Sequence, residues 1–170
     1  MADTNRLKIA IVDIDGTLAN VEHRLHFILD KKPKDWEGFF SETSRDTLNE
    51  WCLIFVNELI KLDVKIVLLT GRPKRSKAVT ETWLRKYQVP YHALFMRNDG
   101  NFMDDVSYKK RALNKKILGQ DLFGTGQLFE LDDIVIAIDD RDGILQMFDE
   151  HKIQTFDAKI GSKLFQNLTN

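Results

Sequence analysis

The segment 11–17 reads Ile-Val-Asp-Ile-Asp-Gly-Thr, an apolar run that ends in two carboxylates one residue apart. Strand side chains alternate between faces, so Asp13 and Asp15 are expected to share one face at a strand end, beside a turn freed by Gly16. One acid could attack phosphorus and form an aspartyl phosphate, while the other holds the proton that the leaving oxygen needs. A divalent cation would have to offset their repulsion. An ordinary Asp-Gly turn explains Gly16 but not two acids.

The elements that must position these acids follow from the apolar pattern. The predicted strands are Lys8 to Val12, Lys65 to Leu69, Ala93 to Met96, Ile134 to Ile138 and a weaker one from Ile153 to Phe156. The predicted helices are 46–62, with Asp46 as its N-cap, 74–86, 106–118 and 142–150. This succession predicts a doubly wound α/β fold with a parallel sheet.

Such sheets bind ligands outside the carboxyl ends of their strands, so more polar groups are expected there. The second strand leads into Thr-Gly-Arg-Pro at 70–73, and the fourth leads into Asp-Asp-Arg-Asp at 139–142. Asp105 and Lys109 lie four residues apart, on one face of the helix before the fourth strand. Each feature also has an ordinary explanation, as a strand terminus, a helix cap or a solvated ion pair. Their occurrence at successive strand ends favours a catalytic site.

Composition sets broad limits on the function. With 170 residues, 43% hydrophobic and 30% charged, the chain is expected to form one globular domain, 1–170. A net charge of -1 argues against a protein that coats long nucleic acids, although binding of one phosphorylated end stays open. We expect a cytoplasmic protein without a membrane partner, since no spanning or secretory segment is evident. The single cysteine, Cys52, is expected in the core of a protein from a reducing compartment.

Taken together, these motifs resemble the four-part signature of the haloacid dehalogenase (HAD) superfamily of phosphatases. The resemblance covers nearly the whole chain, and within the superfamily it is most similar to the 3′-phosphatase domain of bacteriophage polynucleotide kinase-phosphatase and its stand-alone relatives. Several stretches carry this closer match: Trp83-Leu84, Arg97 with Gly100, Asp105-Val106, Lys109, and Ile-Ala-Ile-Asp-Asp-Arg at 136–141. The resemblance implies a Rossmann-like parallel sheet with a small helical cap after the first strand.

The resemblance also implies roles for individual residues. Asp13 would be the nucleophile, and Asp15 would protonate the leaving oxygen and later deprotonate water. Thr70 would hold phosphoryl oxygens, and Lys109 would place a point charge on the transition state. The residues that it implies in substrate or phosphate binding are Gly71, Arg72, Arg24, Arg97, Asp105 and Asp140.

A magnesium ion is the cofactor that the resemblance implies. Asp13, the main-chain carbonyl of Asp15 and Asp139 would bind it, because Mg²⁺ prefers oxygen ligands and keeps several waters. Asp140 would either bond Lys109 or a water, or act as a further ligand. We expect the cation to keep Asp13 ionised, whereas the pKa of Asp15, which faces the leaving oxygen, is expected to be raised.

Substrate choice is expected to reside in the segment 20–44, which is too short for a large cap domain. It combines cations with the aromatic residues Trp36, Phe39 and Phe40, a mixture suited to nucleic acid, although we favour packing against the sheet for these aromatics. Arg24 is expected to contact substrate. Glycines in the loop 119–130 could cradle phosphate, but a plain surface loop is the preferred interpretation.

We therefore expect a Mg²⁺-dependent phosphomonoesterase that removes 3′-phosphates from polynucleotide ends or nucleoside 3′-monophosphates. One alternative is a phosphatase of small nucleotides or sugar phosphates, and another is a non-catalytic phosphate-binding domain. The sequence lacks a Gly-x-x-x-x-Gly-Lys-Ser/Thr loop, so any kinase would be a separate protein. A separate kinase or ligase partner stays open. Its four histidines lack the spacing of a zinc site.

Overall fold

The computed structural model describes residues 6–169. Its strands are β1 (Lys8–Val12), β2 (Ala19–Asn20), β3 (Thr47–Leu48), β4 (Val64–Pro73), β5 (Ala93–Arg97), β6 (Ile134–Asp139) and β7 (Thr155–Asp157). Five of them form one parallel sheet in the order β5-β4-β1-β6-β7, which confirms the predicted α/β fold. Val12 pairs with both Leu68 and Ile138, so the carboxyl ends of the three central strands meet at one edge.

Helices cover both faces of this sheet. They are α1 (His26–Leu29), α2 (Trp36–Ser41), α3 (Glu50–Lys61), α4 (Lys77–Lys86), α5 (Asp105–Ala112), α6 (Asp142–Glu150) and α7 (Ala158–Thr169). A π-helical turn, Leu113–Ile117, extends α5. Ala10 and Val12 pack with the residues of α3 and α4, whereas Ile9 and Ile11 pack with those of α5 and α6. This strand alternation is why both faces are apolar and why odd-numbered side chains of β1 point toward α5.

A two-stranded ribbon closes the segment that follows β1. β2 pairs antiparallel with β3, and α1, α2 and two short 3-10 turns lie between them. Arg75, just after β4, forms an ion pair with Glu37 of α2 at 2.8 Å and so ties this insert to the sheet edge. Phe39 is buried as expected for a packed aromatic, but Trp36 stays partly exposed and its ring stacks on Phe40.

The start of α3 was predicted wrongly. Asp46 is not its N-cap, because the helix begins at Glu50 after Asn49, and Leu48 belongs to β3. Asp46 is instead fully buried and turned toward the insert, where two arginines bind it. Asp is a common N-cap residue, which is why the helix was expected to begin at Asp46. Its carboxylate instead pairs with two arginines that are distant in sequence.

The loop 119–130 lies at the opposite, amino-terminal edge of the sheet, where the side-chain amide of Gln127 bonds the backbone of Leu7. Asp121 accepts hydrogen bonds from the amides of Thr125 and Gly126, so these amides already have an anion. This agrees with a surface loop rather than a phosphate cradle. Within 6–169 no helix combines the length and the apolar character needed to cross a bilayer.

Candidate active site

Asp13 lies at the centre of the carboxyl edge, one residue beyond β1. Its amide still bonds the carbonyl of Ile138 at 3.0 Å, so the position of its backbone is fixed by the sheet. Its side chain points toward α5, where the Lys109 ammonium donates to Asp13 Oδ1 and Asp139 Oδ2, both at 2.7 Å. All three side chains are almost fully buried. The sheet and α5 thus join residues that are 96 positions apart in sequence.

Three acids crowd around this one lysine. Oxygen atoms of Asp13, Asp139 and Asp140 lie within 4.8 Å of one another. Burial raises the pKa of Asp13 well above its usual value; Lys109 acts in the other direction, and Asp139 and Asp140 raise it further. Burial and the charge of Asp139 likewise raise the pKa of Asp140 to about 6.

The chemistry of these donors fits a divalent cation. Oδ1 of Asp140 is buried and has no hydrogen-bond partner among the described residues, although a buried carboxylate oxygen normally has one. Gly16, at a φ of +85°, makes room for this acid, because a Cβ there would stand 2.3 Å from Asp140 Oδ2. Buried carboxylates with one cation between them are the oxygen-rich environment that Mg²⁺ binds.

Asp15 lies in a different environment, although it is only two residues away. Arg24 Nη2 donates to its Oδ1 at 2.6 Å, and Arg72 donates to the same atom through Nε at 2.9 Å and Nη2 at 2.6 Å. Burial by itself would raise the pKa of Asp15, but Arg72 and Arg24 outweigh it, and the pKa is lowered. The expectation of a raised pKa is therefore wrong for this arrangement of the residues.

Both arginines, which were expected to contact substrate, are fully buried, and their guanidinium groups bond other residues of the protein. Every nitrogen of Arg24 points inward: Nε and Nη2 bond carboxylates, Nη1 bonds the carbonyl of Phe39, and the guanidinium lies 4.0 Å from the Phe39 ring centroid. Nη1 of Arg72 donates to Thr80 at 3.3 Å. In this structure the arginines orient Asp15 instead.

Asp46 completes this group, and the sequence reasoning missed its role. It accepts hydrogen bonds from Arg24 Nε and Nη2 at 2.7 and 2.8 Å, and from Arg72 Nη2 at 2.7 Å. Its main-chain carbonyl accepts from Trp83 Nε1 at 2.8 Å, which holds the segment against α4. One signal in the sequence could have indicated this role. Two arginines were expected at the site, and two buried arginines need more than one carboxylate as counter-ions. We call Asp15, Arg24, Asp46 and Arg72 the arginine group.

The remaining expected residues frame the entrance. Thr70 is buried at the end of β4, and its hydroxyl oxygen accepts from the amide of Arg72 at 3.2 Å, which leaves its proton for an incoming acceptor. Asp105 approaches Gly71 so closely that a Cβ would stand 2.7 Å from its Oδ1. Its carboxylate bridges Arg97 and Arg141, each at 2.6 Å, and so fixes the start of α5 one turn before Lys109.

Asp105 was expected to take part in substrate or phosphate binding. In this structure its carboxylate bonds two arginines, and its negative charge would repel an anion. Arg141 is the cation that the sequence reasoning did not single out. Its side chain is 58% exposed, and its amide donates to Asp139 Oδ1 at 3.1 Å. Its position in the Asp-Asp-Arg run directly after β6 was the available signal.

Solved structures with the same fold are phosphatases and HAD hydrolases. A putative phosphatase from Clostridium difficile is 14% identical, with 89% of this chain and 85% of that chain aligned and a TM-score of 0.59. A D,D-heptose 1.7-bisphosphate phosphatase from B. bronchiseptica, solved with magnesium and phosphate, is also 14% identical, with 95% and 99% aligned and a TM-score of 0.52. At this identity the likeness concerns the fold, which is that of a HAD-type hydrolase.

The sequence itself gives the family. A chain of the Pnkp1/Rnl/Hen1 RNA repair complex is 26% identical over 91% of this chain, with a TM-score of 0.71. This chain spans 43% of the length of that one. The family model for the polynucleotide kinase PNKP phosphatase domain matches residues 7–162, so the chain belongs to this family of HAD phosphatases. No curated protein matches it in sequence.

Proposed function

We propose that this protein is a Mg²⁺-dependent phosphomonoesterase that removes 3′-phosphates from polynucleotide ends or from nucleoside 3′-monophosphates. The observation that carries the proposal is the buried cluster of Asp13, Asp139 and Asp140 around Lys109, next to a second acid oriented by arginines. Membership of the PNKP phosphatase family supports the substrate class.

Asp13 acts as the nucleophile. Its carboxylate oxygen bonds to phosphorus, and the ester bond to the 3′-oxygen breaks as that oxygen takes a proton from Asp15, which leaves an aspartyl phosphate and a free hydroxyl. Asp15 then accepts a proton from the attacking water, the bond between Asp13 and phosphorus breaks, and inorganic phosphate leaves. The ammonium group of Lys109 provides a fixed positive charge beside the reacting phosphoryl group in both steps.

The lowered pKa of Asp15 suits its role as a base in the second half of this reaction. For the first half it needs a proton. That proton enters with the monoanionic form of the phosphate ester, whose second pKa is about 6. The arginine group keeps the carboxylate in position while the proton passes from the ester through Asp15 to the leaving oxygen.

A bound magnesium ion would neutralise the nucleophile and the phosphoryl group together. Asp13, Asp139 and the main-chain carbonyl of Asp15 are the residues that would hold it, with Asp140 as a further carboxylate close enough to take part. Thr70 and the Gly71 amide would bind phosphoryl oxygens.

We also propose that a separate kinase or ligase works on the same ends. The support is the similarity to chains solved in a Pnkp1/Rnl/Hen1 complex, one of which is described as an RNA repair complex. A phosphatase that leaves a 3′-hydroxyl prepares the end that a nucleic acid ligase requires, so the chemistry of the two activities would be consecutive.

The decisive experiment measures Mg²⁺-dependent phosphate release from matched oligonucleotides phosphorylated at the 3′ or the 5′ end, with a 3′-mononucleotide alongside and Asp13→Asn as the inactive control. We expect release from 3′ ends and very little from 5′ ends. Release from neither, together with turnover of a generic phosphate ester, would keep the phosphatase but contradict end processing. Equal turnover of mononucleotide and oligonucleotide would remove preference for a polymer.

A further inference from the structure

The helix that supplies Lys109 carries more positive charge than the active site uses. Its sequence from 109 to 116 reads Lys-Lys-Arg-Ala-Leu-Asn-Lys-Lys, without an acid, in a protein whose net charge is -1. Ala112 and Leu113 of this stretch are buried against the sheet. The cations Lys110, Arg111 and Lys115 are exposed on the opposite side, and Lys116 is half-buried. We call these four residues, together with the exposed Lys74, the basic face.

The basic face is a group of cations that have no acidic partner among the described residues. None of its five members lies within 4.0 Å of a carboxylate of the described residues. Elsewhere, several surface lysines are paired: Lys31 with Asp35 at 2.7 Å and Lys61 with Glu58 at 2.6 Å. A solvated helix surface commonly alternates its charges and forms such pairs. A one-sign surface in a nearly neutral protein indicates an anionic partner.

Lys116 lies close enough to two other members of the basic face to be affected by their charge. Burial, and then the charges of Lys74 and Arg111, lower the pKa of Lys116. Lys74 belongs to the turn that directly follows β4, and β4 includes Thr70, Gly71 and Arg72 of the site. The basic face therefore begins at the carboxyl edge of the sheet and continues down α5 and its π-helical turn.

One aromatic ring connects the basic face to the active site. The Arg97 guanidinium lies 4.6 Å from the centroid of the Tyr108 ring, and Lys116 Nζ lies 5.9 Å from the same centroid, both within reach of cation-π attraction. Arg97 in turn bonds Asp105, one turn before Lys109. Arg97, beside the active site, and Lys116, in the π-helical turn, thus lie against the same ring.

We propose that the basic face binds the backbone phosphates of a single nucleic acid strand whose 3′-phosphate lies at Asp13. This inference rests on the proposed function, because it assigns a path to the polymer that the site would process. The phosphates of the strand would replace the missing carboxylate partners and relieve the repulsion between the cations. Affinity for a long strand would then exceed affinity for a mononucleotide, which carries one phosphate and stays in the site.

A charge-reversal pair tests this binding. Arg111→Glu/Lys115→Glu changes two exposed members of the basic face, and Lys86→Glu/Lys163→Glu makes the same charge change on α4 and α7, which pack on the other face of the sheet. Both are placed in an Asp13→Asn background, and binding of a fluorescein-labelled, 3′-phosphorylated single strand is followed by anisotropy at several salt concentrations. Turnover of the strand and of a 3′-mononucleotide is measured with Asp13 intact.

We expect the first pair to weaken strand binding at least tenfold, on the order expected for lost phosphate contacts, and to flatten the slope of log K against log salt by about 1.4, since each phosphate contact contributes about 0.7 in single strands. The KM for the strand should rise, with mononucleotide turnover unchanged. The control pair should leave strand binding and the KM for the strand close to those of the protein without these substitutions. Unchanged strand binding, or equal weakening by both pairs, would overturn the proposal.

The two proposals fail in different ways. If the protein binds the strand through the basic face but releases no phosphate from any 3′ end, the basic face stands and the proposed function does not. If it releases 3′-phosphate and the first pair behaves like the control pair, the proposed function stands and the basic face is wrong.

Discussion

Two neighbouring acids of one strand end lie in opposite electrostatic environments. Asp13 shares Lys109 with Asp139 and Asp140, so three carboxylates face one cation. Asp15 shares two arginines with Asp46, so two carboxylates face two cations. The pKa of Asp13 is accordingly raised, chiefly by burial, whereas the arginines lower that of Asp15 against the same burial effect.

The two environments differ in whether the protein itself balances the charge of the acids or needs a bound cation to do so. The arginine group is neutral as a whole and is complete before any ligand arrives, so it holds Asp15 in place at no further cost when substrate enters. The acid cluster around Lys109 has three carboxylates for one cation, so we expect a further cation to stabilise it. Binding of metal and phosphate is therefore expected to change the acid cluster far more than the arginine group.

The largest expected effect comes from Asp13→Asn. Removing the nucleophile should lower turnover by on the order of 10⁴-fold or more, as in other enzymes that form covalent intermediates. The fold should survive, because the substitution keeps the shape of the side chain and removes one of three crowded charges. Phosphate release and thermal unfolding without Mg²⁺ would be measured on the same samples.

Asp142→Asn is the matched control for this variant, since its carboxylate is exposed at the same edge and, among residues 6–169, pairs with Lys159 alone. It should retain activity. If Asp13→Asn kept substantial turnover, the nucleophile would have to be another residue of the cluster.

The second prediction concerns the arginine group. Asp46→Asn leaves two buried guanidinium groups with one carboxylate, and loss of one partner from a buried ion pair costs about 3 kcal/mol or more of unfolding free energy. With Asp15 as their only charged partner, Arg24 and Arg72 should lower its pKa further, so the acidic limb of the pH–rate profile should move to lower pH. Urea unfolding and that profile are the measurements.

Asp35→Asn provides the comparison, because it removes the charge of a surface ion pair with Lys31 and keeps a side chain that can still cap α2 at Gly38. Exposed pairs contribute about 0–1 kcal/mol. If Asp46→Asn were no more destabilising than this variant, the arginine group would not be a structural unit.

The acid cluster could be predicted from the sequence because it follows from local patterns. Apolar runs mark the strands, parallel strands bring their carboxyl ends together, and Asp13 and Asp139 each lie at such an end. Lys109 was singled out by its position four residues after Asp105, and the family resemblance added its role as a point charge. Its contacts with both acids place it in the predicted site. Nothing in this reasoning required knowledge of how distant side chains pair.

The arginine group could not be predicted in this way. Asp46 satisfies the local rule for an N-cap, and its true contacts are to residues 22 and 26 positions away. The sign of the pKa shift of Asp15 depends on those same arginines. The sequence places them near the site but does not show whether their side chains point toward Asp15 or toward substrate. Burial of two arginines is unusual enough that pattern rules point to the surface for them.

The third prediction tests the cation that the acid cluster is expected to bind. Mg²⁺ should raise the unfolding free energy of the protein by about 2.7 kcal/mol at a concentration 100 times its Kd. Asp139→Asn should lose most of this gain, because it removes a proposed ligand, whereas Asp35→Asn should keep it. Differential scanning calorimetry across a Mg²⁺ series would show this. Equal stabilisation of both variants would mean that the ion binds elsewhere.

The smallest expected effect is on the pH dependence of stability, which should differ between the acid cluster and the arginine group. Because burial and Asp139 raise the pKa of Asp140 to about 6, its ionisation opposes folding, and stability without Mg²⁺ should fall as pH rises through about 6. Asp15 has a lowered pKa, so its contribution has the opposite sign and is lost only as pH falls through that lower value. Asp140→Asn should therefore remove a loss on the order of 1 to 2 kcal/mol between acidic and neutral pH, and leave the decline at low pH unchanged. Urea unfolding across this range measures both slopes, and a decline toward neutral pH that persists in Asp140→Asn would assign the opposing charge to Asp13, whose pKa burial also raises.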